Sequence, residues 1–138
     1  MTPTTKIDFR YRRISQLDDI TDLVEMLFPG NRNQQHAAAR ILITLKTADE
    51  PLASLSPLEQ GHAISRRTLQ RTRAKLARLG LIEHVSRMNS RYGGQRGWRL
   101  SSRTSTALRR LADWVDQWRK DARPERMEKD GMLVGLLA

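Results

Sequence analysis

One stretch of nineteen residues, SRRTLQRTRAKLARLGLIE (residues 65–83), constrains the fold more than any other part of the chain. At about 100° per residue, three leucines and one threonine fall on one face of a helix. They are Leu69, Thr72, Leu76 and Leu79. Ser65 is suited to cap the start of that helix, and Gly80 is suited to end it. The stretch therefore predicts an amphipathic helix with a buried leucine face.

The other side of this helix carries an unusual charge. Six basic residues come before the first acidic residue, Glu83, and they are Arg66, Arg67, Arg71, Arg73, Lys75 and Arg78. Like charges three or four positions apart destabilise a helix slightly. A helix that tolerates this repulsion is expected to meet a negatively charged partner.

The net charge of the chain is concentrated in the same region. The chain has 25 Lys and Arg against 15 Asp and Glu, and residues 65–103 hold eleven of the basic residues and one acidic residue. The remaining residues balance at fourteen of each, so this segment carries the whole excess of +10. A localised basic patch is the electrostatic footprint of a nucleic-acid-binding protein.

Several other classes of protein are disfavoured. The chain has no Cys, which excludes disulfides, thiol redox chemistry and thiolate metal sites. The three His have no partner at ligand spacing, so neither a metal site nor a cofactor is predicted. No catalytic arrangement stands out, and we expect a protein that is not an enzyme. Because no apolar run approaches the roughly 20 residues of a membrane span or forms a signal-peptide core, we expect a cytoplasmic, nucleoid-associated protein.

Five elements are predicted before the basic helix. Residues 6–14 alternate apolar and polar positions, which indicates a short strand or an extended arm. A helix follows from its N-cap Ser15 to Phe28, and a second helix covers residues 33–46. A short strand is expected at residues 52–55. Ser-Pro-Leu-Glu at residues 56–59 has the form of a capping box with proline in the first turn, which predicts a short helix.

After the basic helix, the pattern predicts a β-hairpin and one long helix. Residues 81–88 and 98–101 are expected to be strands, joined by a Gly-rich and Arg-bearing turn. Thr104 or Ser105 then caps a helix that reaches about Ala122. The tail that follows is charged at first and then apolar.

The order of helix, short helix, turn, basic helix, strand, Gly-rich hairpin and strand resembles the winged helix-turn-helix superfamily. The resemblance covers roughly residues 33–103, and its most specific motif is TLQRTRAKLARLGLIE, which is similar to MarR-like and related bacterial and archaeal regulators. The implied fold is mainly helical with a small β-hairpin wing and extra helices at both ends. The chain departs from the pattern by adding His62 to the turn before the basic helix.

This resemblance divides a single domain, residues 1–138, into four segments. An N-terminal arm and helix occupy residues 1–32, and the winged-helix core occupies residues 33–103. Residues 104–122 form a C-terminal dimerisation helix, and residues 123–138 form a tail.

The resemblance implies that the basic helix is a recognition helix, and its side chains suit that role. Arg and Gln pair with guanine and adenine edges in the major groove, and recognition helices read bases mainly with their first residues. We therefore predict base contacts from Arg66, Arg67, Gln70 and Arg71, and phosphate contacts from Arg73, Lys75 and Arg78. The wing is predicted to contact DNA through Arg91, Tyr92, Gln95 and Arg96, whereas Trp98 is expected in the core.

The last helix carries an apolar stripe, formed by Leu108, Leu111, Trp114, Val115 and Trp118. We expect this stripe to be a dimer interface, with packing inside one chain as the alternative. The resulting hypothesis is a homodimeric transcriptional regulator that binds specific sequences of double-stranded DNA. Two alternatives remain open, which are a plasmid or phage protein of replication or partition, and a winged-helix module that binds RNA or protein.

Overall fold

The computed structural model describes residues 6–86 and 96–138. This part of the chain is mainly helical, with a small two-stranded antiparallel sheet. It forms two compact units, Met1–Ser102 and Arg103–Ala138. The elements are α1 (Tyr11–Ser15), α2 (Ile20–Leu27), α3 (Arg32–Thr47), α4 (Pro57–Gly61), α5 (Arg66–Leu79), β1 (Ile82–Val85), β2 (Gly97–Leu100), α6 (Arg103–Lys120) and α7 (Pro124–Gly135).

The core of the first unit is built around α3 and α5, which pack against each other. On α3 the residues Ala37, Ala38, Ile41, Leu42 and Leu45 are buried. On α5 the buried residues are Leu69, Thr72 and Leu76. Fully burying an aliphatic side chain stabilises the fold by roughly 1.5–3 kcal/mol. The predicted second helix and the buried leucine face of the basic helix are both confirmed.

Both predicted ends of α5 are also confirmed. The Ser65 hydroxyl accepts a hydrogen bond from the Thr68 amide at 3.1 Å, which caps the first turn. Gly80 has a φ of +85°, a left-handed conformation that glycine adopts without strain. The Gly80 amide donates to Ala77 and the Leu81 amide donates to Leu76, so the last carbonyls of the helix are satisfied.

The start of the chain differs from its prediction. Residues 6–10 are extended, as an arm, but Tyr11–Ser15 is helical and the predicted N-cap Ser15 ends that helix. The true cap of α2 is Asp19, whose carboxylate accepts from the amides of Thr21 and Asp22. Asp22 accepts in return from the Asp19 amide at 3.2 Å. This reciprocal pair satisfies more amides than Ser15 can, and it moves the N-cap of the helix by four residues.

The segment before α4 contains two further corrections. The predicted capping box is absent, because Ser56 has helical backbone angles and its amide donates to the Ser54 hydroxyl instead. The predicted strand at residues 52–55 is reduced to a single bridge between Leu52 and Trp98. Proline at the first position of α4 is confirmed.

The predicted hairpin strands are confirmed by the pairing of β1 with β2. The register pairs Ile82 with Leu100 and Val85 with Gly97. Residues 87–95, which hold the predicted turn, lie outside the described residues. Trp98 is partly buried against the core, as expected, and its backbone exchanges two hydrogen bonds with Leu52.

In the second unit, α6 begins at Arg103, so the expected caps Thr104 and Ser105 lie inside its first turn. The tail forms an unpredicted helix, α7, with proline at its start. Between the helices, hydrogen bonds from Arg123 lower the pKa of the Asp121 carboxyl to about 2. The Trp118 indole of α6 donates to Asp130 of α7 at 2.8 Å. None of the side chains of these two helices is buried.

We predict that Gly97→Ala destabilises the first unit by roughly 2–4 kcal/mol. Gly97 has a φ of +135°, and an added Cβ would lie 2.2 Å from the Leu52 carbonyl oxygen. The change therefore combines backbone strain with a clash that breaks the Leu52–Trp98 bridge. Urea unfolding of the full chain measures the effect.

Gly61→Ala is the matched control, because an added Cβ there meets nothing within 4 Å. We expect its free energy of unfolding to stay within about 1 kcal/mol of the wild type. Equal unfolding midpoints for Gly97→Ala and the wild type would contradict the described packing of β2.

Candidate nucleic-acid interface

The solvent side of α5 forms a continuous ridge of exposed side chains. We define the α5 ridge as the exposed residues Arg66, Arg67, Gln70, Arg71, Ala74 and Arg78. It lies opposite the face that buries Leu69 and Leu76 in the core. All four predicted base-contact residues and one predicted phosphate contact therefore lie together on one surface. The core packing of the leucine face fixes the direction in which that surface points.

The cations of this ridge are not neutralised by the fold. Among the residues that the structure describes, no carboxylate forms an ion pair with Arg66, Arg67, Arg71 or Arg78. Glu83, the one acidic residue of the basic segment, is paired instead with Arg99 on β2, at 2.8 Å. The ridge therefore presents its positive charge to solvent, where a phosphate backbone can meet it.

Lys75, a predicted phosphate contact, makes contacts within the fold. Its ammonium group donates to the backbone carbonyl of Lys6 at 2.6 Å and to that of Leu27, and it lies 4.4 Å from the centre of the Phe28 ring. Burial lowers the pKa of this ammonium below its ordinary value, and the nearby charge of Arg78 lowers it further. We therefore interpret Lys75 as an anchor between α5 and the start of the chain.

The opposite flank of α5 is held by Arg73. Its guanidinium carbon lies 4.8 Å from the centre of the Trp98 ring, which is a cation–π contact. The same ring meets His84 edge-on, with 4.9 Å between the ring centres. Arg73 is half-buried in this stack. It thus joins α5 to β2, and its predicted phosphate contact stays a prediction.

The turn from α4 into α5 orients the first residues of the ridge. Ile64 is buried, and its amide donates to the Glu59 carbonyl at 3.0 Å. Ala63 before it has a φ of +54°, in the left-handed region. These contacts hold the N-terminus of α5 against α4 across a short connection. The backbone of Arg66 and Arg67 therefore begins at a turn whose position is fixed.

Most of the predicted wing lies outside the described residues. Arg91, Tyr92 and Gln95 belong to the undescribed range 87–95, and their assignment stays a prediction. Arg96 lies directly before β2 and is exposed.

The predicted interface of the second unit is an exposed apolar stripe on α6. Leu108, Leu111, Trp114, Val115 and Trp118 are between 43% and 57% exposed. Trp114 and Trp118 stack with their ring centres 6.2 Å apart and their planes within 7°. Contiguous apolar side chains left in solvent are a common feature of protein–protein contact surfaces.

The described part of the chain contains neither a candidate metal site nor a candidate membrane span. No group of three or more His, Cys, Asp or Glu is placed to hold a metal ion in the part of the chain that is described. Within the same residues, no helix is long and apolar enough to cross a membrane.

In comparisons with known proteins, no family model, no curated protein and no solved structure matches the chain. The geometry of the chain itself therefore carries the functional argument. The contacts of Lys75 with the arm were not predicted, because its partners Lys6 and Leu27 are distant in sequence. The local pattern there, an alternation of apolar and polar positions in residues 6–14, indicated a short strand or an extended arm without naming its partner.

Proposed function

We propose that this protein binds double-stranded DNA in a sequence-specific manner, with α5 lying in the major groove. The observation that carries the proposal is the α5 ridge, whose exposed cations have no acidic partner among the described residues. A helix of 14 residues is about 21 Å long and, with its side chains, about as wide as the major groove.

The side chains of the ridge match the chemistry of base edges. Arg67 and Arg71 can pair bidentately with guanine, and Gln70 can pair with adenine. Ala74 is small enough to let the helix approach closely or to meet a thymine methyl group. Arg78 lies near the C-terminus of α5 and is better suited to phosphate.

The arrangement of the first unit supports a winged-helix mode of binding. The order α3, α4, α5, β1, β2 matches that of the superfamily, and the bridge between Leu52 and Trp98 lies where a third short strand would pair. In this mode the hairpin of β1 and β2 contacts the DNA next to α5, which would bring Arg96 to the backbone or the minor groove. A protein of this kind acts in the cytoplasm at the nucleoid, as a regulator of transcription or in replication or partition of DNA.

We further propose that the α6 stripe joins two copies of the chain in antiparallel fashion. If residue 113 is level with the two-fold axis, Leu111 of one copy lies level with Val115 of the other, so the two apolar stripes face each other. Two-fold pairing would offer two recognition helices to successive major grooves.

We predict that Arg67→Ala and Gln70→Ala each lower the affinity for the best duplex site by about 1–3 kcal/mol and relax the preference at particular base pairs. Fluorescence anisotropy with labelled duplexes of related sequence measures both effects. Lys46→Ala is the control, because Lys46 is exposed in the first unit but lies on α3, away from the ridge.

Competition with single-stranded RNA separates this proposal from an RNA-binding module. We expect duplex DNA to compete more strongly at physiological salt. Stronger competition by the RNA, or equal affinities of the Arg67→Ala and Lys46→Ala variants for every duplex, would contradict the proposal.

We predict that Leu111→Glu/Val115→Glu converts a dimer into a folded monomer. The change places four carboxylates at the centre of the proposed interface, and the two positions are 48% and 43% exposed in a single chain. Sedimentation velocity at tens of micromolar measures the state of assembly, and circular dichroism checks the helices.

Thr106→Glu/Gln117→Glu is the matched control, since it adds the same charge on the opposite side of α6. It should remain dimeric. A wild type that sediments as a monomer would contradict the dimer while leaving the proposed DNA binding of α5 untouched.

A further inference from the structure

We propose that residues 6–12, which comprise the arm and the first residues of α1 and are called the arm below, form a second DNA-contacting element that holds the sugar–phosphate backbone beside the major-groove site. This inference rests on the proposed function of α5. Its segment is one whose sequence pattern indicated a short strand or an extended arm, and Lys75 is the residue that positions it.

The arm is attached directly to the flank of α5. Lys75 donates to the carbonyl of Lys6 at 2.6 Å, and the Asp8 amide donates to the Met26 carbonyl at 2.8 Å. Lys75 is four residues after Arg71 and three before Arg78, so all three side chains are neighbours on the helix surface. The start of the arm therefore lies at the edge of the α5 ridge.

The charges of the arm divide into paired and unpaired cations. Arg10 forms a bidentate pair with Asp8, at 2.7 and 2.8 Å, and Arg13, just beyond the arm, pairs with Glu25. Lys6 and Arg12 are exposed, and within the described ranges neither has an acidic partner. These two cations are therefore the ones available for phosphate.

The aromatic side chains of the arm are also left in solvent. Phe9 is 54% exposed and Tyr11 is 86% exposed. Ile7, which precedes both, packs against the core instead. Arg, Lys and Tyr side chains are common donors to phosphate oxygens, and such contacts fix the register of a protein on a duplex. The arm exposes aromatic and basic residues and is held beside the recognition helix. It is therefore suited to contact the DNA backbone next to the major groove.

The first test compares three single substitutions in the full chain. Lys6→Ala and Arg12→Ala each remove one proposed phosphate contact, and Lys46→Ala removes an exposed lysine of the same unit away from the site. The readouts are the slope of log K against log salt for a duplex site and the thermal midpoint. Each arm variant should make the slope shallower by about 0.9, with the base preference and the thermal midpoint unchanged.

A double-mutant cycle tests the positioning role of Lys75. If Lys75 acts by holding the arm, Lys75→Met should shift the slope as Lys6→Ala does, and the double variant should shift it little further. Additive slopes would mean that Lys75 contacts phosphate independently, which contradicts the positioning role. If Lys75→Met does not fold, the Lys6 and Arg12 variants decide the inference by themselves.

The outcomes separate this inference from the function on which it rests. Wild-type slopes for both arm variants, together with weakened binding by Arg67→Ala, would overturn the arm and leave the function standing. A wild type that does not bind duplex DNA would overturn both.

Discussion

The packing of α5 on α3 is the interaction on which the rest of the structure depends. Ala37 and Ala38 of α3 are completely buried, and small side chains at these positions let a neighbouring helix approach closely. Leu69 and Leu76 of α5 bury almost all of their surface in the same core. Because a helix can bury only one face, this packing forces the polar and cationic face of α5 into solvent. The candidate interface is a consequence of the core.

The basic residues of α5 divide between holding the helix and facing solvent. Lys75 anchors one flank to the backbone of the arm and α2, and Arg73 anchors the other flank to Trp98. Cationic side chains are favourable at these flanks, because the flanks lie beside backbone carbonyls and an aromatic ring. Only the residues between the flanks keep their charge exposed. A count of basic residues therefore overstates the charge that a negative partner meets, and the exposed ridge is the better measure.

Much of the fold could be predicted from local patterns. The periodicity of α3 and α5, the caps Ser65 and Gly80, and the pairing of β1 with β2 all depend on residues close in sequence. The errors arose where local signals competed or long-range contacts decided. Asp19 displaced Ser15 as a cap because its partner Asp22 reciprocates. The partners of Lys75 lie 69 and 48 residues away, so no spacing rule could assign its role in the site. The helix α7 was missed because the charged and apolar blocks of the tail lack a clear helical stripe.

The central claim is that the α5 ridge reads the sequence of double-stranded DNA. Its most direct test is selection of bound sequences from a random duplex pool by the full-length chain. We predict an enriched consensus that contains guanine and adenine at fixed positions, in two inverted half-sites with centres about 10 base pairs apart. A pool that remains random through successive rounds, despite binding of the protein to duplex DNA, would contradict the claim.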